Sequence, residues 1–195
     1  MTGPLVFIGD SITDAGRRED PPDYLGEGYV RMVAERLPSR EVVNVGISGN
    51  RAIDLRDRWD IDVIALKPDI LSVYVGVNDT WRRYDSNDPT SAAAFEEHYR
   101  ACLADVGGAS RVILIEPFVV PVSEDQERWH EDLDEKRVVV ARLAAEYGAG
   151  FVPLQALLGA AAEDHGAAAI AFDGVHPTEL GHRLIADAWL DVAGL

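Results

Sequence analysis

Ser11 follows a short apolar run, Leu5 to Ile8, and stands behind Gly9-Asp10 where that run must turn. An apolar run with β-branched members, bounded by Pro4 and Gly9, reads as a strand buried on both faces, as at the centre of a parallel sheet. Such a strand delivers the residues after it to the carboxyl edge of the sheet, where open α/β folds bind ligands. A serine held there can attack a substrate if a base reaches it. Asp173-Gly174-Val175-His176 supplies one: an Asp and a His three apart on a loop can set the carboxylate against one ring nitrogen. The other nitrogen then faces outward, as the base of a serine hydrolase must. Oxyanion donors are available as the Ser11 and Gly46 N–H groups and the Asn78 side-chain amide, each after a separate predicted strand.

The elements that position these residues alternate along the chain. After the first strand and a polar loop at Asp20-Pro21-Pro22-Asp23, apolar residues from Tyr29 to Leu37 recur at helical spacing up to Pro38. Val42 to Val45 predicts a second strand, ending in Gly46-Ile47-Ser48-Gly49-Asn50. Helical spacing runs from Ile53 to Leu66, and a third strand, Ile70 to Val75, ends in Gly76-Val77-Asn78-Asp79. Further helices are expected near Ala92 to Val106, over Glu127 to Tyr147, near Ala156 to Ala162, and over Glu179 to Val192. Strands are expected at Val112 to Ile115 and at Phe151-Val152. Strands alternating with helices predict a three-layer α/β/α sandwich around a mainly parallel five-stranded sheet, as one domain over residues 1–195. Strand order does not follow from the pattern.

Eighteen basic against 34 acidic residues give a formal charge of −16, which opposes nucleic-acid backbones and anionic lipid and suits a neutral substrate. Cys102 is the one cysteine, so neither an internal disulfide nor a thiolate metal cluster can form. The N-terminus shows no basic segment followed by an apolar stretch, and no run reaches membrane-spanning length, which predicts a cytoplasmic protein.

Gly9-Asp10-Ser11, Gly46, Gly76-x-Asn78-Asp79 and Asp173-x-x-His176 resemble, in order, the four blocks of the SGNH hydrolases, also called GDSL esterases. Ile12 stands where that family carries leucine, a conservative apolar exchange. The resemblance implies a flavodoxin-like fold, Ser11 as nucleophile, His176 as base, Asp173 as its partner, and an oxyanion hole of Ser11, Gly46 and Asn78, with no cofactor and no metal. Gly46-Ile-Ser-Gly-Asn50, Asp54-Leu-Arg-Asp-Arg-Trp59 and Gly76-Val-Asn-Asp-Thr-Trp-Arg-Arg-Tyr-Asp85 are most similar to the intracellular acetylxylan esterases of the superfamily. That similarity implies a small acetylated carbohydrate as substrate and a homo-oligomer, an octamer; Trp59, Trp129 and Trp189 are available for burial in the core or at an interface.

Candidate substrate contacts beside the strand ends are Asp10, Asn50, Arg51, Trp81 and Tyr84, with Trp81 to Tyr84 expected on the pocket rim. Asp10 and Asp79 also suit a second task, holding turns through backbone N–H groups. Ser48 is a rival nucleophile, but its surroundings lack the G-x-S-x-G elbow of α/β-hydrolases. His182 is a rival base inside a predicted helix without an Asp three residues before it; His98, His130 and His165 read as surface or capping residues. Three other functions stay open: a lysophospholipase or thioesterase of the same superfamily, a two-metal phosphoesterase, and a non-catalytic carbohydrate-binding protein. The metal reading lacks its histidine ligands, since no Asp-x-His occurs.

Overall fold

The structure is a computed structural model and describes residues 3–19, 21, 23–106, 108 and 110–195. Asp20 and Pro22 of the expected polar loop lie outside the described residues. Five strands, β1 (Leu5–Gly9), β2 (Val42–Asn44), β3 (Ile70–Tyr74), β4 (Arg111–Ile115) and β5 (Gly150–Val152), form one sheet in the order β2-β1-β3-β4-β5. Every pairing is parallel, and β1 lies in register between β2 and β3, with Leu5 opposite both Val42 and Ile70. The order reverses between β1 and β3, and a crevice opens at such a switch point outside the strand ends. Chain direction leaves β1 there into Ser11 and β3 there into Asn78.

Both faces of the sheet are covered, which is why β1 and β3 read as continuous apolar runs. Leu5 and Phe7 face one core with Tyr29, Val30 and Val33 of α2 (Tyr29–Arg36) and Ile185, Ala186 and Trp189 of α10 (Glu179–Ala193). Val6 and Ile8 face the other core. There they meet Leu55 of α3 (Ala52–Asp57), Phe95 and Tyr99 of α5 (Ala92–Ala104), and Val139 and Val140 of α7 (His130–Tyr147). The remaining helices are α1 (Ser11–Asp14), α4 (Val77–Asp85), α6 (Glu124–Glu127), α8 (Leu154–His165) and α9 (Ala167–Ile170). The predicted α/β/α architecture is what forms.

Three expected elements come out differently. The helix expected from Ile53 to Leu66 stops at Asp57 and resumes as a π-helical turn over Asp60–Ile64. The break frees Arg58 to donate to Gly9 O at 3.1 Å, Val45 O at 2.6 Å and Asn50 Oδ1 at 2.8 Å, tying together the ends of β1 and β2. The helix expected over Glu127 to Tyr147 forms as α7 from His130, preceded by a separate short α6 that Ser123 Oγ caps by accepting from Gln126 N. Trp81 to Tyr84, expected on a rim, lie within α4. Trp59, Trp129 and Trp189 are buried within this one chain at 3%, 6% and 0% exposure. The expectation that they could supply a subunit interface is therefore corrected: the cores of this fold use them.

A buried charge network on α7 holds α4 against it. Lys136 is fully buried and pairs with Asp132, whose Oδ2 also accepts from Thr80 Oγ1 at 2.7 Å and whose Oδ1 accepts from Arg83 at 3.2 Å. Removing one member leaves a charge uncompensated in the interior, at a cost of about 3–5 kcal/mol. Lys136→Ala is expected to lose that much in denaturant unfolding, well above the effect of the exposed pair change Arg183→Ala.

Candidate active site

Asp10 starts the site. Its Oδ1 accepts from Ile12 N at 3.0 Å, which caps α1 and turns the chain sharply out of β1 with Ser11 at the first helical position. Two glycines allow the turn to pack so closely. A Cβ on Gly9 would lie 2.4 Å from both Thr13 Oγ1 and Tyr74 O, and one on Gly46 would lie 2.4 Å from Asp14 N.

Ser11 Oγ lies 2.9 Å from His176 Nε2, and His176 Nδ1 lies 2.6 Å from Asp173 Oδ2. With Nδ1–H donating to the carboxylate, Nε2 keeps the lone pair that accepts the serine proton. The 173–176 loop is self-bracing: Asp173 Oδ1 accepts from Val175 N at 3.0 Å and His176 N at 2.7 Å, and Gly174 turns at φ 86°. Gln126 Nε2 donates to Asp173 O at 2.6 Å. Partial burial acts against the Asp173 charge, but hydrogen bonds from the His176 ring and from the two backbone N–H groups outweigh it, and the carboxyl sits below its usual range. The aromatic flanks are Phe172, stacked at 5.8 Å on the His176 ring, and Trp81, tilted at 5.8 Å.

The expected oxyanion donors divide. Asn78 is buried in the first turn of α4, and its Nδ2 donates one hydrogen to Asn50 O at 3.1 Å, leaving the other to point elsewhere. Gly46 does not fit its expected part. Its N–H donates to Asn44 Oδ1 at 2.9 Å, its carbonyl accepts from Arg17 Nε, and the residue is buried under Thr13 and Asp14. Gly46 is a close-approach glycine. In the same turn Gly49 is exposed, has φ 84°, and its N–H has no acceptor among the described residues. The signal in the sequence was the second glycine of Gly-Ile-Ser-Gly, placed where only a left-handed turn brings the chain back toward Asn50.

Of the five candidate substrate contacts, Asp10 is corrected outright, being fully buried with its carboxylate committed to α1. Its alternative task of holding the turn is the one it performs, and Asp79 does the same by accepting from Ala52 N at 3.2 Å. Asn50 Oδ1 is taken by Arg58, Arg51 pairs with Asp88 at 2.9 Å, and Tyr84 donates to Arg128 O at 2.8 Å while stacking on Trp129. Trp81 alone reaches the histidine. Ser48 Oγ donates to Asp14 Oδ2 at 2.9 Å and has no histidine partner among the described residues. His182 lies in α10 as expected. No group of three potential metal-ligating His, Cys, Asp or Glu side chains gathers among the described residues.

Beside Ser11 and His176 opens a cavity of about 750 Å³. Its walls come from α2 and α10, with Glu27, Arg31, Met32, Glu179, His182 and Arg183 among them. Those two helix faces gave no chemical signal in the sequence, because nothing in a charged amphipathic pattern says which groove it will border.

A parallel sheet that delivers a serine to its switch point, within reach of a His-Asp pair, defines a serine hydrolase of the α/β/α class. The sequence pattern of the GDSL-like Lipase/Acylhydrolase family matches residues 7–184, and the chain belongs to that family. It is 37% identical to an acetylxylan esterase of Geobacillus stearothermophilus over 97% of this chain and 93% of that protein. The solved structure of a G. stearothermophilus acetylxylan esterase superposes with a TM-score of 0.90 at 36% identity, covering 99% of this chain and 94% of that one. A protein of Parabacteroides merdae described as a GDSL-like lipase superposes at 0.92 with 32% identity, covering 99% and 96%. Solved variants of the G. stearothermophilus enzyme described as catalytic mutants replace a serine, an aspartate and a histidine by alanine, the last two three residues apart.

Two carboxyls near the site carry a pH signature. Burial pushes both Asp10 and Asp79 up to about 7, against opposing hydrogen bonds from Ile12 N and Ala52 N. A carboxyl whose folded value is raised contributes stability that is complete below the unfolded value near 4 and is lost as pH rises through about 7. Asp79→Asn is expected to flatten the decline in unfolding free energy between pH 5 and pH 8 relative to the wild type, as read from urea melts. An unchanged slope would remove Asp79 as a source of that decline.

Proposed function

We propose that this chain, acting as one domain, is a serine esterase that removes acetyl groups from acetylated carbohydrates, xylo-oligosaccharides among them. The observation that carries the reading is the Ser11–His176–Asp173 hydrogen-bond chain at the edge of a cavity with charged walls. The 37% identity to an acetylxylan esterase supports the substrate class.

His176 takes the proton as Ser11 Oγ attacks the ester carbonyl, and Asp173 stabilises the imidazolium. The oxyanion is held by the Ser11 N–H, the Gly49 N–H and the second Asn78 amide hydrogen. The sugar leaves with the proton from His176, and water repeats the cycle on the acyl-enzyme to release acetate. No cofactor takes part in these steps. A lysophospholipase or thioesterase would need a continuous apolar channel, whereas Ile12, Met32 and Phe172 are isolated among Glu27, Arg31, Glu35, Arg36, Glu179 and Arg183. The same reading has the enzyme work as a cytoplasmic homo-oligomer, an octamer on the resemblance to the acetylxylan esterases. Exposed Ile61, Val138 and Phe172 are apolar side chains left for an interface. No helix among the described residues is long and apolar enough to cross a membrane.

Ser11→Ala is expected to lower kcat by a factor on the order of 10⁴ or more and to abolish acyl-enzyme formation, while Ser48→Ala retains most activity. Asn78→Ala is expected to lower kcat by roughly 10²–10³ with little change in KM, because its bond forms mainly in the transition state. The reverse behaviour of the two serines would overturn the mechanism. Across a series of acyl esters, kcat/KM should fall about ten- to a hundredfold from acetyl to butyryl and be negligible for octanoyl. A profile rising toward octanoyl would replace the acetylesterase reading with the lipase one. Light scattering at working concentration is expected to return a multiple of 21.3 kDa, and a single subunit mass would remove the assembly.

A further inference from the structure

His182 has one ring nitrogen assigned by its surroundings. Tyr29 N, the first helical N–H of α2, donates to His182 Nδ1 at 3.2 Å. An imidazole accepting at Nδ1 carries its proton on Nε2 when neutral. Burial, then the field of His176, pushes His182 down to about 4, so the ring is neutral at physiological pH. Its orientation is fixed from two sides. The Tyr29 ring stacks at 15°, and the Cε1–Nδ1 edge sits against Gly28, where an added Cβ would lie 2.9 Å from Cε1. Nε2 has no partner among the described residues, is not sealed from solvent, and belongs to a side chain that lines the cavity beside Ser11.

The arginines on the walls of that cavity each hold a carboxylate, although Arg31 Nε, sealed from solvent, makes no hydrogen bond among the described residues. Arg31 pairs with Glu27 at 2.7 Å, Arg36 with Asp187 at 2.6 Å and Arg183 with Glu179 at 2.7 Å, all partly exposed. Among these lining groups His182 stands out as a donor that is neutral, fixed in orientation and not sealed from solvent, where Arg31 Nε is cationic and buried. A neutral donor suits a hydroxyl or ring oxygen, where a cation would suit an anion.

We propose that the cleft between α2 and α10 is the sugar subsite, and that His182 Nε2–H is its specificity-determining donor, given to a hydroxyl or ring oxygen of the acetylated sugar. The inference rests on the acetylated-carbohydrate reading and adds the residue that recognises the sugar. His182 thus has two tasks on two atoms. Nδ1 caps α2, and Nε2 binds substrate.

The two tasks can be separated. In His182→Asn the amide oxygen overlays Nδ1 and keeps the cap, while the amide nitrogen falls one bond short of Nε2. His182→Phe keeps the ring and loses both. The readout is the ratio of kcat/KM for an acetylated xyloside to that for an aryl acetate, together with the melting temperature. Loss of one neutral hydrogen bond predicts a ratio about tenfold lower in both variants, carried by KM, with the melting temperature lowered mainly in His182→Phe. A wild-type ratio in His182→Asn would overturn the inference and leave His182 as a cap only. A parallel fall of both substrates in both variants would also overturn it. Wild-type enzyme that cleaves aryl acetate and no sugar ester would overturn the carbohydrate reading itself, and the subsite with it.

Discussion

Close backbone packing where β1 ends is the constraint on which the rest of the site depends. Gly9 lies against Thr13 and Tyr74 O, and Gly46 against Thr13 and Asp14, each with a virtual Cβ at 2.4 Å from its nearest neighbour. Any side chain there would push α1 away from β2 and β3, and Ser11 rides on α1. Backbone groups released by so tight a turn find side-chain partners, while Asp10 Oδ2 and Asp14 Oδ1 stay buried without one. Asp10 satisfies Ile12 N, Asn44 reaches Thr13 O and Gly46 N, and Arg58 collects Gly9 O and Val45 O. Buried backbone groups left unpaired would cost more than the turn could recover from packing.

Asp10 and Asp79 carry the strain of that arrangement as displaced titration. Each is buried and adjacent in sequence to a functional residue: Asp10 braces the turn that carries Ser11, while Asp79, next to Asn78, holds the start of α3 through Ala52 N. Burial raises both carboxyls to about 7, so negative charge beside the nucleophile is disfavoured below that pH. Asp173 takes the opposite course, kept ionised by donors from its own loop and from His176. Position within the fold, and not residue type, separates a carboxyl that holds a turn from one that stabilises an imidazolium.

The cavity divides recognition from reaction. Strand ends and their turns furnish the groups around the scissile bond, whereas α2 and α10 furnish the wall where the leaving sugar is proposed to lie. Strand-end groups are tied to backbone at neighbouring strand ends, as Asn78 is to Asn50 O. Helix faces such as those of Arg31 and Arg183 carry paired, exposed side chains that can change without disturbing the sheet. His182 belongs to both parts, since its ring closes the start of α2 and opens onto the cleft.

The sequence by itself determined the alternation of strands and helices, the loop pairing of Asp173 with His176, and the delivery of Ser11 to a strand end. These rest on apolar period, turn residues and short spacing, all of which act within a few residues. It also contained the order of the blocks that resemble the SGNH hydrolases. Tertiary structure alone decided the strand order, which depends on sheet-wide packing, and the division of the Ile53 to Leu66 stretch, which depends on Arg58 reaching two strand ends. It decided that Gly46 is committed to close approach while the Gly49 N–H has no acceptor among the described residues, because that choice rests on Asn44 and Asp14, residues outside the turn. It also placed Tyr84 and Arg51 on partners of their own, and brought α2 against α10 so that His182 meets Tyr29, 153 residues away. Contacts of that separation leave no period or spacing in the chain; they exist only once the helices have packed on the sheet.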